Sequence, residues 1–105
     1  GLTIANGFGN NLTGGGIENN GTLTISNSRL TNNRANYGAG INNTGSLTLL
    51  NSTIDNNTAI YGGGGINADM GTVNIYNSTI SGNRAGEGGG ILQTSGTLTL
   101  NHATV

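Results

Sequence analysis

Gly63-Gly64-Gly65-Ile66, with Gly71-Thr72-Val73-Asn74-Ile75 and Ile80-Ser81-Gly82-Asn83 behind it, decides the fold because the chain repeats it. The leading motif recurs as Gly14-Gly15-Gly16-Ile17, Gly38-Ala39-Gly40-Ile41 and Gly88-Gly89-Gly90-Ile91. The four isoleucines stand 24, 25 and 25 residues apart. A constant period of this size signals a solenoid, whose units cannot bury their apolar faces alone.

Aligning on the isoleucines brings the other columns into register. Gly21, Gly45, Gly71 and Gly96 open alternating stretches in which Leu23, Leu47, Val73 and Leu98, then Ile25, Leu49, Ile75 and Leu100, point inward. Period two with β-branched residues marks a half-buried strand. Leu30, Ile54, Ile80 and Val105 form a third inward column, followed by Asn33, Asn57 and Asn83 and then by Ala35, Ala59 and Ala85. No segment carries the i, i+3, i+4, i+7 pattern of an amphipathic helix. The expectation is an all-β, right-handed parallel β-helix with three short strands per coil. Residues 1–105 make one unit: a partial coil over 1–13, full coils over 14–37, 38–62 and 63–87, and a partial coil over 88–105.

In-register coils stack like residues on like residues at a repeat of about 4.8 Å. Two asparagine ladders are expected, one of Asn6, Asn27, Asn51 and Asn77 with His102 in fifth place, the other of Asn33, Asn57 and Asn83. Stacked amides satisfy turn groups that the sheets leave unpaired, and Asn accepts left-handed turn conformations. Gly1–Ala5 aligns with the second strand of a coil. The chain thus starts in mid-strand, as if processed or excised, and Val105 falls at the start of a third strand. Both ends read as uncapped, with Leu2, Ile4, Leu98, Leu100 and Val105 as axial assembly residues. Four coils rich in glycine make a marginal isolated unit, so each end calls for another coil.

Composition narrows the function. Glycine supplies 21 residues, and proline and cysteine are absent. Disulfides and zinc–thiolate sites are excluded. Arg29, Arg34 and Arg84 are the only cations besides the terminus, and lysine is missing. That argues against nucleic acid and against a polybasic membrane patch. No segment is apolar for long enough to form a membrane helix. The acids Glu18, Asp55, Asp69 and Glu87 fall in different columns, without the paired carboxylates that glycosidases need. His102 is the only histidine, which leaves no triad or metal cluster. The glycine runs lack the lysine and helix of a phosphate loop, and Gly64–Asp69 does not reproduce a calcium-binding nonapeptide. The expectation is a non-enzyme with no cofactor and no metal.

The GG[AG]I motif with Leu30-Thr31-Asn32-Asn33, Ile54-Asp55-Asn56-Asn57 and Ile80-Ser81-Gly82-Asn83 resembles the repeat of the polymorphic outer membrane protein family. It also resembles related bacterial and archaeal β-helix surface proteins. Gly1-Leu2-Thr3-Ile4-Ala5-Asn6-Gly7 is similar to an opening strand common among them. The resemblance covers the whole chain and implies a secreted or surface-displayed protein, adhesive or structural. That family favours Phe before x-x-N, where this chain has Leu or Ile. The leading expectation is an extracellular structural solenoid that stacks on itself, head to tail, into a filament or stalk. The alternative is a piece of an adhesin or autotransporter passenger that meets a host or surface ligand.

Three outward features have further readings. Thr22 and Thr24, Ser46 and Thr48, Thr72 and Asn74, and Thr97 and Thr99 form two hydroxyl-rich columns, one extended by Thr3. Such an array resembles the ice-binding faces of some antifreeze proteins, although Thr is also a favoured outward strand residue. Tyr37 and Tyr61 share a column with Glu87, and are read as shielding a sheet edge or contacting a sugar or neighbouring filament. Glycosylation sequons begin at Asn11, Asn20, Asn42, Asn51, Asn56 and Asn77, of which Asn51 and Asn77 are expected to be inaccessible ladder residues.

Overall fold

The computed structural model describes residues 2–9 and 12–105, and every regular element in it is a strand. The chain opens with β1 (Thr3–Ala5) and then winds through similar coils. The first coil holds β2 (Ile17–Asn19), β3 (Thr22–Ser26), β4 (Arg29–Thr31) and β5 (Arg34–Tyr37). The second holds β6 (Ile41–Asn43), β7 (Ser46–Leu50), β8 (Thr53–Asp55) and β9 (Thr58–Gly62). Then follow β10 (Ile66–Ala68), β11 (Gly71–Tyr76) and β12 (Thr79–Ser81), and finally β13 (Ile91–Gln93) and β14 (Gly96–Asn101). All pairs are parallel and join each coil to the next, giving the sheets β1-β4-β8-β12, β13-β10-β6-β2 and β14-β11-β7-β3. This is a parallel β-helix.

The predicted aliphatic columns are in register. Ile17, Ile41, Ile66 and Ile91 pair in succession. So do Leu23, Leu47, Val73 and Leu98, and likewise Ile25, Leu49, Ile75 and Leu100. Leu30, Ile54 and Ile80 stack in the third sheet. Burial is complete only in the middle of the stack, where Ile41, Leu47, Leu49, Ile54, Ile66, Val73 and Ile75 are each 0% exposed. Leu98 and Leu100 keep the register but are exposed, because no coil covers them.

Three expectations need correction. Thr3–Ala5 pairs with Arg29–Thr31, so β1 belongs to the third sheet rather than the second. Ile4 therefore stacks on Leu30, and Thr3 adds to the Arg29 column, not to the threonine array. Gly1 lies outside the described residues. Secondly, a fourth segment in each coil also pairs: β5 with β9, extended by bridges from Phe8 to Arg34 and from Thr58 to Arg84. It lacks the strong alternation of the other strands because its inward residue is alanine. Ala35, Ala39 and Ala59 form a small second core there, with Ala85 against it.

Thirdly, the tyrosines do not occupy equivalent positions. Ile60 lengthens its coil by one residue, and a register shift follows Ala35, so Tyr37 pairs with Gly62 and Gly62 with Glu87. The two rings nevertheless meet, with centroids 5.5 Å apart and planes tilted by 34°.

The glycines of the leading motif do two jobs. Gly14, Gly38, Gly63 and Gly88 take φ between 58° and 69°, the left-handed region that a Cβ disfavours. Gly40 and Gly65 instead sit under the next coil: a Cβ there would lie 2.4 Å and 2.5 Å from the carbonyl oxygens of Gly65 and Gly90.

Candidate functional site

The second predicted asparagine column forms a buried hydrogen-bonded ladder. Asn33 Nδ2 donates to Asn57 Oδ1, and Asn57 Nδ2 to Asn83 Oδ1, each at 2.9 Å. The same oxygens accept the backbone N–H of Asn33 and Asn57. Each Nδ2 also reaches back to the preceding coil, to the carbonyls of Ile4, Leu30 and Ile54. At the first rung the N–H of Gly7 donates to Asn33 Oδ1 at 2.8 Å. The side chains thus continue the parallel ladder around a corner where the backbone alone cannot.

The other predicted asparagine column is different in kind. Asn27, Asn51, Asn77 and His102 take φ of 49–51° and are exposed, and no side-chain ladder links them. They serve as left-handed corners, for which Asn is well suited. Asn6 is not among them: the β1 register places it with Asn32, Asn56 and Gly82, which also have positive φ. The sequons at Asn51 and Asn77 accordingly lie on exposed residues, as do Asn20 and Asn56, whereas Asn42 is buried. Asn11 lies outside the described residues.

Two ladders escaped the sequence reading. Asn19 Nδ2 donates to Asn43 Oδ1 at 2.7 Å, two residues past the isoleucine column. Ser52 and Ser78 accept the N–H groups of Ser28 and Ser52 at their hydroxyls, while each hydroxyl donates to a carbonyl two residues back. The signal was present as Asn-x-Gly after Ile17 and Ile41 and as Asn-Ser-x-[Leu/Ile] in three coils. Such hydroxyl and amide turns are common enough in loops that spacing alone did not single them out.

The end faces have mirrored chemistry. At one end Leu2, Ile4, Ile17, Leu23 and Ile25 line a cavity of about 310 Å³. At the other Ile80, Asn83, Gly90, Ile91 and Val105 line one of about 550 Å³. Leu2 is 64% and Val105 58% exposed, so the predicted axial residues are open to contact. Both ends also present strand edges without a partner among the described residues: β2 and β3 at one, β13 and β14 at the other. Unpaired edges with apolar flanks are templates for strand addition.

The remaining charges are dispersed. Arg29 grips Asp55 across one rung, with Nε–Oδ1 at 3.0 Å and Nη2–Oδ2 at 2.6 Å. The guanidinium hydrogen bond holds the Asp55 carboxyl below the usual carboxylate range, opposed by partial desolvation. A depressed folded-state pKa means the pair's contribution is intact at neutral pH and fades as pH falls through that value. Asp55→Asn is therefore expected to lower the neutral-pH melting temperature slightly and to flatten its decline in acid. Equal acid sensitivity in the variant and the parent would remove Asp55 from that role. Among the described residues no three His, Cys, Asp or Glu side chains gather where they could hold a metal.

Beside the tyrosines a groove of about 540 Å³ runs over β6 and β10, lined by Thr13, Tyr37, Asn42, Asn67, Asp69 and Leu92 among others. Comparison with protein-family profiles, with characterised proteins and with solved structures finds no match for this chain.

Proposed function

We propose that this chain is a non-enzymatic structural β-solenoid of the cell exterior that stacks head to tail, by strand addition, into a filament or stalk. The observation that carries the reading is the pair of open apolar end faces, whose columns are the same columns in the same sheets. The resemblance of the repeat to β-helix surface proteins supports the extracellular setting.

Register makes the docking specific. The sheets of β2 and β3 hold four strands each, but the β1 sheet gains a fifth rung from the bridge between Thr79 and Thr104. A seamless stack therefore requires the Thr104 segment to yield to the incoming β1. The Thr104 rung is a lone bridge with Val105 exposed, and it is the weaker competitor. Removing Ala103–Val105 is expected to lower the concentration at which the chain assembles; a higher threshold would count against this register.

Gly21 supplies the decisive test. A Cβ on Gly45, Gly71 or Gly96 would lie 2.0–2.4 Å from the carbonyl oxygen of the glycine one coil before it. Gly21 has nothing within 4 Å, because it faces the open end. In a stack it would meet Gly96 of the preceding copy. Gly21→Ala should fold normally in dilute solution yet stay monomeric, while the parent chain grows with concentration in sedimentation and forms unbranched rods by electron microscopy. A parent chain that stays monomeric at millimolar concentration would sink the proposal. In a longer polypeptide, such as an adhesin passenger, the same faces would be covered by that chain's own coils.

A further inference from the structure

The groove beside the tyrosines carries a feature that axial stacking does not use. Its floor is the outward column of the β2-β6-β10-β13 sheet, Asn42, Asn67 and Leu92, with Glu18 next in register. Asn42 and Asn67 are only 4% and 8% exposed, although they sit on the outer face. Asn67 Nδ2 donates to Asn42 Oδ1 at 2.8 Å, which engages one amide atom of each residue and leaves Asn42 Nδ2 and Asn67 Oδ1 to face the groove. Whichever way the amides are oriented, the pair offers one free donor and one free acceptor side by side.

The two walls are unlike each other. One is aromatic, made by Tyr37, whose ring meets that of Tyr61; the two residues are 39% and 55% exposed. The groove continues past Tyr37 and Leu92 into a second cavity of about 410 Å³, lined also by Ile60, Tyr61 and Glu87. The other wall is polar: Thr94 Oγ1 donates to Asp69 Oδ1 at 2.9 Å and fixes the carboxylate, with Thr44 beside it. A pocket of several hundred cubic ångströms with an apolar face and a few fixed polar groups suits a small ligand.

We infer that this groove binds a neutral oligosaccharide lying along the solenoid. A sugar ring has an apolar C–H face to lie on a tyrosine and edge hydroxyls that each donate and accept, matching the free amide pair and the Asp69 carboxylate. The charge selects against polyanions. Asp69 lies in the groove, Glu18 accepts from Thr13 at its edge and Glu87 lines the second cavity, and no arginine lines either. Arg29 is engaged by Asp55, and Arg34 lines a separate cavity with Phe8.

The test uses the whole chain with hexasaccharides of β-glucan, xylan and mannan, and with hexagalacturonate as the anionic comparison. At least one neutral probe should shift the side-chain amide resonances of Asn42 and Asn67 at millimolar concentration. Tyr37→Ala should weaken that binding about tenfold, Tyr37→Phe should retain it, and Thr24→Val, on another face, should leave it unchanged. The inference is overturned if no neutral probe binds, if hexagalacturonate binds best, or if Tyr37→Ala binds as the parent does. Because Gly21→Ala blocks stacking without touching the groove, sugar binding by that monomeric variant separates this site from the assembly.

Discussion

Gly45→Ala is expected to destabilise the solenoid by more than about 3 kcal/mol, while Gly21→Ala in dilute solution shifts stability by no more than about 0.5 kcal/mol. The two glycines occupy the same column, and only their neighbours differ. A Cβ on Gly45 would lie 2.1 Å from the carbonyl oxygen of Gly21 and 2.9 Å from its nitrogen. Those atoms belong to a backbone held by strand pairing on the adjacent coil, so no side chain can move aside to make room. Relief requires the coils to part, which lengthens the hydrogen bond from the Ser46 N–H to the Gly21 carbonyl, now 2.8 Å. Equilibrium urea unfolding of the two variants measures the difference as a change in midpoint. Equal midpoints would show that coil spacing does not depend on this glycine.

Asn57→Ala is the second large effect, expected to cost about 3–5 kcal/mol. Asn57 is 0% exposed, and its amide joins three coils: it accepts from the N–H and Nδ2 of Asn33 and donates to the Leu30 carbonyl and Asn83 Oδ1. Alanine removes these bonds and leaves the buried Asn33 N–H without an acceptor, and that loss outweighs the modest net value of any one bond. Asn51→Gly provides the contrast. Asn51 is exposed at φ 49° and joins no side-chain ladder, so glycine takes the same conformation at a cost below about 1 kcal/mol. Thermal unfolding of both variants separates a ladder asparagine from a corner asparagine. A mild Asn57→Ala phenotype would relegate its ladder to decoration.

That contrast also marks where the sequence is legible. Asn33 and Asn27 both recur once per coil, so periodicity alone treats them alike. Asn27 is exposed and is itself the left-handed residue of its corner; Asn33 follows the left-handed Asn32 at the next corner, where its amide turns inward and is buried and bonded. Asn6 shows a related limit. Thr3-Ile4-Ala5-Asn6 matches both Thr24-Ile25-Ser26-Asn27 and Arg29-Leu30-Thr31-Asn32 in its apolar pattern, and a strand of three residues carries too little pattern to choose. Pairing with Arg29–Thr31 decided it. The extra Ile60 likewise displaced Tyr61 from the register position of Tyr37, while leaving the rings in contact.

The aliphatic columns were readable because burial on one face of a parallel stack forces the same residue class into the same place in every coil. That periodicity determined the parallel β-helix, the inward residues and the glycine corners from the amino-acid order alone. The amide partners, the fourth sheet and the groove between Tyr37 and Asp69 were decided only by the tertiary structure. They depend on distances between coils and across corners, and a recurring letter in a sequence carries no record of how far a side chain stands from its neighbour.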